Sequence, residues 1–243
     1  MDNSFAVGLS AQQVLQQRMD VTANNLANMT TAGFKAERLM ERELSQAPAQ
    51  TSDQPTNVSF VDAWKLQRDM STGPMERTGN SLDAAIDGEG FFSVQTPDGV
   101  AYTRDGRFQL DGGGKLVNHD GFAVMGQSGP ITVDPNGGDV TIGRDGTVFQ
   151  NSQALGQISV TAFDQPDQMV KMGSSLWQAP GQTGHTPTAV HVSGGFVEGS
   201  NVNPVAELTQ MIEISRSYES VAQMLSNADQ LRGTAVDKLS HTT

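Results

Sequence analysis

Apolar residues recur at helical spacing at both ends of the chain, whereas the middle runs in short apolar stretches broken by glycine. Between Phe5 and Met29, Leu15, Met19, Thr22, Leu26 and Met29 follow one another at alternating four- and three-residue steps. Between Pro204 and Arg232, Met211, Ile214, Tyr218, Val221, Leu225 and Ala228 recur at three- and four-residue steps. Each set draws one apolar seam along a helix, the pattern of a helix that packs on another helix. The spacing therefore predicts two long terminal helices that pack as a coiled-coil-like pair.

The N-terminal helix is expected to begin after the capping-capable run Asp2-Asn3-Ser4 and to stop before Gly33. Inside it lies Ala23-Asn24-Asn25-Leu26-Ala27-Asn28, and asparagine is a poor interior helix residue because its amide competes for backbone hydrogen bonds. Asn24 and Asn28 share a face. Two readings stand: that face is satisfied across an interface, or the helix frays into the turn Met29-Thr30-Thr31-Ala32-Gly33. At the other end, Asn203 suits an N-cap, Pro204 the first helical position, and Gly233 a left-handed cap. These bounds enclose about 29 residues, roughly 43 Å of helix. A helix that long is marginal without something to lie against.

Between the helices the signals change twice. Glu37 to Leu44 alternates charges in a helix-compatible way, and Ala47-Pro48 through Gln54-Pro55 breaks that pattern. Residues 36–80, with few core candidates besides Val58, Phe60, Val61, Trp64, Leu66 and Met70, read as an extended connector with short strands. From Ser81 to Glu198 strands and tight turns follow. Pro97-Asp98-Gly99 separates two short runs, Tyr102 to Leu110 resembles a bent hairpin, and Asp111-Gly112-Gly113-Gly114 turns the chain into Lys115-Leu116-Val117. Arg144-Asp145-Gly146-Thr147 echoes Arg104-Asp105-Gly106-Arg107. The fold class expected is α+β: an N-terminal helix (1–35), a connector (36–80), an antiparallel all-β central domain (81–198), barrel-like or a sandwich, and a C-terminal helix (199–243).

Composition narrows the partners. The chain of 243 residues has a formal charge of −12 and no cysteine, which excludes disulfides and thiolate chemistry. Residues 1–40 are net neutral and 201–243 carry −2, so the acidic excess lies in the middle. Near-neutral ends can pack on copies of themselves while the acidic middle stays solvated, although a plain solvated surface explains the charge equally well. Nothing supplies the basic footprint that nucleic acid requires. No run is apolar enough to span a bilayer, and Met1-Asp2-Asn3-Ser4-Phe5 lacks the basic and apolar regions of a cleaved secretory signal.

Catalytic and metal motifs fail on inspection. Gly114-Lys115 is followed by Leu116 where a phosphate loop needs Ser or Thr, and Gln109 stands in place of its first glycine. Gly126-Gln127-Ser128-Gly129 is not a nucleophile elbow. His119, His185, His191 and His241 lie in turn-rich or tail segments without ligand spacing. Asp87, Asp98, Asp105, Asp111, Asp120 and Asp145 each stand directly before glycine, in turns that need them for local backbone bonds. No catalytic residue, cofactor or metal is expected.

Four blocks of sequence carry a resemblance. Ala23 to Lys35 is similar to the N-terminal signature of the bacterial flagellar rod and hook proteins. Asp87-Gly88-Glu89-Gly90-Phe91-Phe92 and Tyr102-Thr103-Arg104-Asp105-Gly106 resemble that family's central β domain, and Glu198 to Pro204 leading into Met211-Ile212 and Arg216-Ser217-Tyr218-Glu219 resembles its C-terminal motif. The blocks occur in the family's order across nearly the whole chain. The length fits members with one central domain, and Met1-Asp2 with Gly126 to Val133 is most similar to proximal-rod members; distal-rod and hook-type members are the alternative. The resemblance implies a non-enzymatic axial subunit, exported unprocessed through the flagellar type III apparatus and assembled in the periplasm with other rod proteins and with copies of itself. It also implies an assembly interface drawn from Leu15, Met19, Asn24, Asn25, Leu26, Asn28 and Phe34 on one side and Met211, Ile214, Tyr218, Val221, Leu225 and Ala228 on the other. A cell-wall-binding or cleaving module is a weaker alternative, since Trp64 and Trp177 are the only tryptophans and Trp64 lies in the connector.

Overall fold

A computed structural model describes residues 2–46, 58–173, 175–188 and 190–240. The chain divides into two compact units, each discontinuous in sequence. One gathers residues 1–27, 37–68 and 203–243; the other gathers 28–36 and 69–202.

The first unit holds helix α1 (Asp2–Ala27), strands β1 (Glu37–Gln46) and β2 (Val58–Arg68), and helix α2 (Pro204–Ser240). The helices lie side by side in opposite directions. Arg232 stacks over the Phe5 ring at 5.6 Å, and a Cβ on Gly8 would come within 2.7 Å of the Leu225 side chain. A side chain at position 8 would therefore require Leu225 to shift. Ile214 is 2% exposed, while Leu15, Met19, Leu26, Met211, Tyr218, Val221, Leu225 and Ala228 are half-buried. The pattern marks the faces the spacing predicts, without defining a coiled coil.

Strands are expected in 36–80 and are present there, but two expectations fail in this unit. Glu37 to Leu44 is strand: β1 pairs antiparallel with β2 along its whole length, with a bulge between Met40 and Glu41. Its charge spacing suits a helix, but β2 is rich in β-branched and aromatic residues, and strand pairing overrides local preference. These strands, of ten and eleven residues, are not short. The Pro-containing break at 47–57 lies outside the described residues. Finally, α2 runs through Gly233 to Ser240. Glycine only permits a helix to end, and Thr234 Oγ1 donates to the Gln230 carbonyl at 2.9 Å across the weak point.

The Asn203 cap is present. Its side-chain oxygen accepts from the Val205 and Ala206 N–H groups, both at 3.2 Å.

The second unit is antiparallel β throughout its described strands. These are β3 (Met75–Arg77), β4 (Ala84–Asp87), β5 (Phe91–Thr96), β6 (Gly99–Thr103), β7 (Gln109–Leu110), β8 (Leu116–Val117), β9 (Ala123–Gly126) and β10 (Gly129–Pro130). Then follow β11 (Val140–Ile142), β12 (Thr147–Gln150), β13 (Gln153–Gln157), β14 (Val160–Thr161), β15 (Val170–Gly173), β16 (Leu176–Gln178), β17 (His191–Gly194) and β18 (Phe196–Glu198). The main sheet runs β15-β16-β6-β5-β9-β8-β7, with β14 on β5 and β10 on β9. A smaller sheet, β11-β12-β13, and the pairs β17-β4 and β18-β3 complete it. Ile86, Phe92, Val94, Leu116, Val124 and Val148 are fully buried at its centre, and Phe92 meets Phe108 edge-on at 5.1 Å.

The turns are where the spacing placed them. Pro97-Asp98 links β5 to β6. Asp111 Oδ1 accepts from the Gly113 and Lys115 N–H groups, at 2.8 and 2.7 Å, to close the β7-β8 turn. The echoed motif is an echo of turn chemistry: Asp105 accepts from the Arg107 N–H at 3.1 Å and Asp145 from the Thr147 N–H at 3.0 Å. Arg104 and Arg144 part company, the first buried and the second exposed.

Candidate functional site

Within the second unit, residues 33–36 lie beside 198–201. The Gly33 N–H donates to the Glu198 carbonyl at 2.8 Å, and the Ala36 N–H donates to Asn201 Oδ1 at 2.8 Å. Asn201 also donates through Nδ2 to the carbonyls of Asp69 and Ser71, at 2.9 and 3.2 Å. One amide thus fastens three stretches of backbone. Gly33 has φ +67, a conformation that favours glycine, and a Cβ there would strike the Arg104 backbone.

This approach brings three charged side chains together. Glu198 Oε1 accepts from Lys35 Nζ at 2.7 Å and Glu198 Oε2 accepts from Arg104 Nη1 at 2.9 Å. All three are buried, Glu198 at 0% exposure. The remaining donors and acceptors are largely met. Lys35 Nζ also donates to the Ser71 carbonyl at 2.6 Å, the Gly73 N–H donates to Glu198 Oε1 at 3.0 Å, and Arg104 Nη2 donates to the Gly88 carbonyl at 2.8 Å. The Arg104 guanidinium lies over the Phe91 ring at 5.3 Å. Burial lowers the Lys35 pKa, opposed chiefly by the Glu198 carboxylate; Arg104 adds to the lowering. The cluster holds charges in place and presents no nucleophile.

In the first unit a second asparagine does similar work. Asn25, 1% exposed, donates from Nδ2 to the Glu37 carbonyl at 2.8 Å and accepts the Glu37 N–H at 2.9 Å. It pins the first residue of β1 to α1. Arg68 Nε bonds to Glu37 Oε1 at 3.1 Å, and Arg18 pairs with Glu41 at 3.3 Å.

The asparagines singled out from the sequence have different fates. Asn24 is exposed, Asn25 is the clamp on β1, and Asn28 is half-buried and accepts from Thr31 Oγ1 at 3.1 Å in the turn after α1. Phe34 is buried with Ala36 and Val202. Sequence reasoning missed Lys35, Arg104, Glu198 and Asn201 as a group, although each lies in a block that carries the family resemblance. It also missed an outer apolar set on α2. Val205, Leu208 and Ile212 recur at three- and four-residue steps and are 73%, 46% and 54% exposed, and Met224 and Leu231 are exposed a heptad apart. Their spacing is as regular as that of the inner seam.

No helix among the described residues is long and apolar enough to cross a membrane, and no group of three metal-capable side chains occurs among them. His185 lies 3.9 Å from Asp164 at an exposed site.

Segments that meet in these clusters also match models of axial flagellar proteins. Residues 5–35 match the flagella basal body rod protein model, 85–150 the D1 domain of the flagellar hook protein FlgE/F/G model, and 193–238 the C-terminal model of the flagellar basal body rod FlgEFG proteins. Lys35, Arg104 and Glu198 fall one in each. The chain is 43% identical over 241 residues to the flagellar basal-body rod protein FlgF of Caulobacter vibrioides, covering 98% of both. It is 37% identical to FlgF of Mesorhizobium japonicum, covering 93% of this chain and 92% of that one. To the rod protein FlgG of Bacillus subtilis it is 32% identical, covering 95% and 97%. The chain belongs to the flagellar basal-body rod protein family. It is a structural subunit of the rod.

Proposed function

We propose that this chain is a proximal-rod subunit that helps carry torque from motor to hook. The identity to FlgF proteins along nearly the full length supports this reading most directly. In it the chain leaves the cytoplasm through the flagellar type III apparatus, without a cleaved signal, and assembles in the periplasm with other rod proteins and with copies of itself. Non-closing contacts between successive subunits build a helical tube. The terminal helices pack as a coiled-coil-like pair and supply the contacts, drawing on Leu15, Met19, Asn24, Asn25, Leu26, Asn28, Phe34, Met211, Ile214, Tyr218, Val221, Leu225 and Ala228. The role requires no catalysis and no nucleic acid.

Deleting the gene is expected to leave basal bodies without a rod and cells that do not swim; intact rods in the deletion strain would defeat the reading. Supplying the Leu225→Asp chain is expected not to restore swimming, while near-ultraviolet circular dichroism still reports a folded β domain. Similarity to FlgG proteins over most of the chain favours a distal-rod role as second reading. A deletion that leaves a short rod stub would select it.

A further inference from the structure

Glu207 stands in the first turn of α2, and only 7% of its surface is exposed. Its backbone N–H donates to the Asn203 carbonyl at 3.0 Å. Among the described residues its carboxylate has no hydrogen bond and no ion pair. The side chain lines a cavity of about 390 Å³ within the first unit, between α1, β1 and the start of α2. Thr22, 2% exposed, brings a hydroxyl to the same wall, and Gln210 an amide.

The acids around it are already engaged. Glu41 pairs with Arg18 and Glu37 with Arg68. Arg38 lines the cavity from β1 but its side chain is exposed. The carboxylate meets solvent only through this cavity and has no partner in the chain, so covering it without a counter-charge would be unfavourable, and the favourable end of a helix dipole offsets only part of that cost. An apolar or anionic occupant would leave it so. A metal ion would need several oxygen ligands, and no group of three metal-capable side chains occurs among the described residues. Val21, Leu39 and Met40 add apolar wall, which suits the methylene stem of a long basic side chain. The volume falls at the low end of small-ligand pockets, enough for one such chain.

We propose that this cavity receives a lysine or arginine side chain from a neighbouring axial subunit, with its cation on the Glu207 carboxylate. The inference rests on the rod reading above. It makes Glu207 a socket for assembly, idle in the free chain and filled in the rod.

The test compares Glu207→Gln in the purified full-length chain and in cells. The variant monomer is expected to melt within a degree or two of wild type, because no internal partner is lost, while rods recovered per cell fall at least tenfold and swimming stops. Wild-type rod yield from Glu207→Gln would overturn the proposal. So would a markedly lower melting temperature, which would make Glu207 an internal structural group. Arg38→Ala and the Arg38→Ala/Glu207→Gln double variant complete the set. Non-additive melting shifts in the monomer would show that Arg38 supplies the cation from within, and would equally overturn it. Failure here is separable from failure of the rod reading: rods that form in the deletion strain defeat the rod role, whereas rods lost on deletion but kept by Glu207→Gln defeat only the socket.

Discussion

Lys35 Nζ and Glu198 Oε1 lie 2.7 Å apart although 163 positions separate them in the chain, and neither side chain is more than 1% exposed. With Arg104 on the other carboxylate oxygen, one acid balances two bases in a space that excludes water. Such a group is sensitive to removal of its shared member, because two buried cations are then left facing each other.

Glu198→Gln keeps the shape and removes the charge. It is expected to destabilise the β unit by about 3–5 kcal/mol, the range for breaking a buried ion pair. Urea unfolding followed by the fluorescence of Trp177 and Trp64 measures it. Lys35→Met in the Glu198→Gln background should restore part of the loss, so the two changes will not add. Additive losses would mean that the two groups do not interact.

The stability of the chain should depend on pH through Lys35. Its folded pKa lies below the ordinary 10.5, because burial disfavours the ammonium. Below the lowered pKa both states carry the proton, and the desolvation cost is fully present. As pH rises through the lowered pKa towards 10.5, the unfolded chain holds more protons than the folded one, so stability increases from this group. Wild type should therefore gain on Lys35→Met across that window. Paired melts at stepped pH check the sign, and a gap that stays constant would refute it.

Removing the clamp on β1 has a local cost. Asn25→Ala leaves the Glu37 N–H and carbonyl without their side-chain partner in a buried setting, and is expected to cost about 1–3 kcal/mol. Asn25→Asp should be nearly as harmful, since a carboxylate accepts the N–H but faces the carbonyl without a donor. Hydrogen exchange at Glu37 and Arg38 reports the loosening directly.

At the two ends of α2 the effects are opposite in sign. Asn203→Ala loses the cap and is expected to cost about 1 kcal/mol, with faster exchange at Val205 and Ala206. Gly233→Ala fills open space inside the helix and should stabilise it by about 0.5–1 kcal/mol. A destabilising Gly233→Ala would show that the helix breaks there in solution.

What could be read from the sequence follows the range of each interaction. The Asn203 cap, the Asp111 and Pro97-Asp98 turns and both helical seams are local, with cause and effect within a few residues. Strands at 36–80 are legible, but the length of β1 and β2 and their pairing are not, because the partners lie on either side of residues 47–57 and no local signal joins them. Gly233 misled because glycine marks where a helix can stop. The Lys35, Arg104 and Glu198 cluster was visible only as three separate blocks; no spacing rule links positions so far apart. Asn25 was singled out as an oddity in its helix, but its partner, the backbone of Glu37, has no side-chain signature at all.

Asn201 and Glu198 also impose an order in time. The backbone at Gly33 and Ala36 has no partner for its N–H groups until residues 198–201 have been made, and the Arg104 guanidinium has no counter-charge before then. Contacts of such long sequence separation form late, because loop closure must precede any gain from them. Residues 33–36 and the Arg104 guanidinium must therefore wait, incompletely paired, for the last fifth of the chain. A chain cut short before Glu198 never closes, and the finished β unit certifies that both of its ends are present.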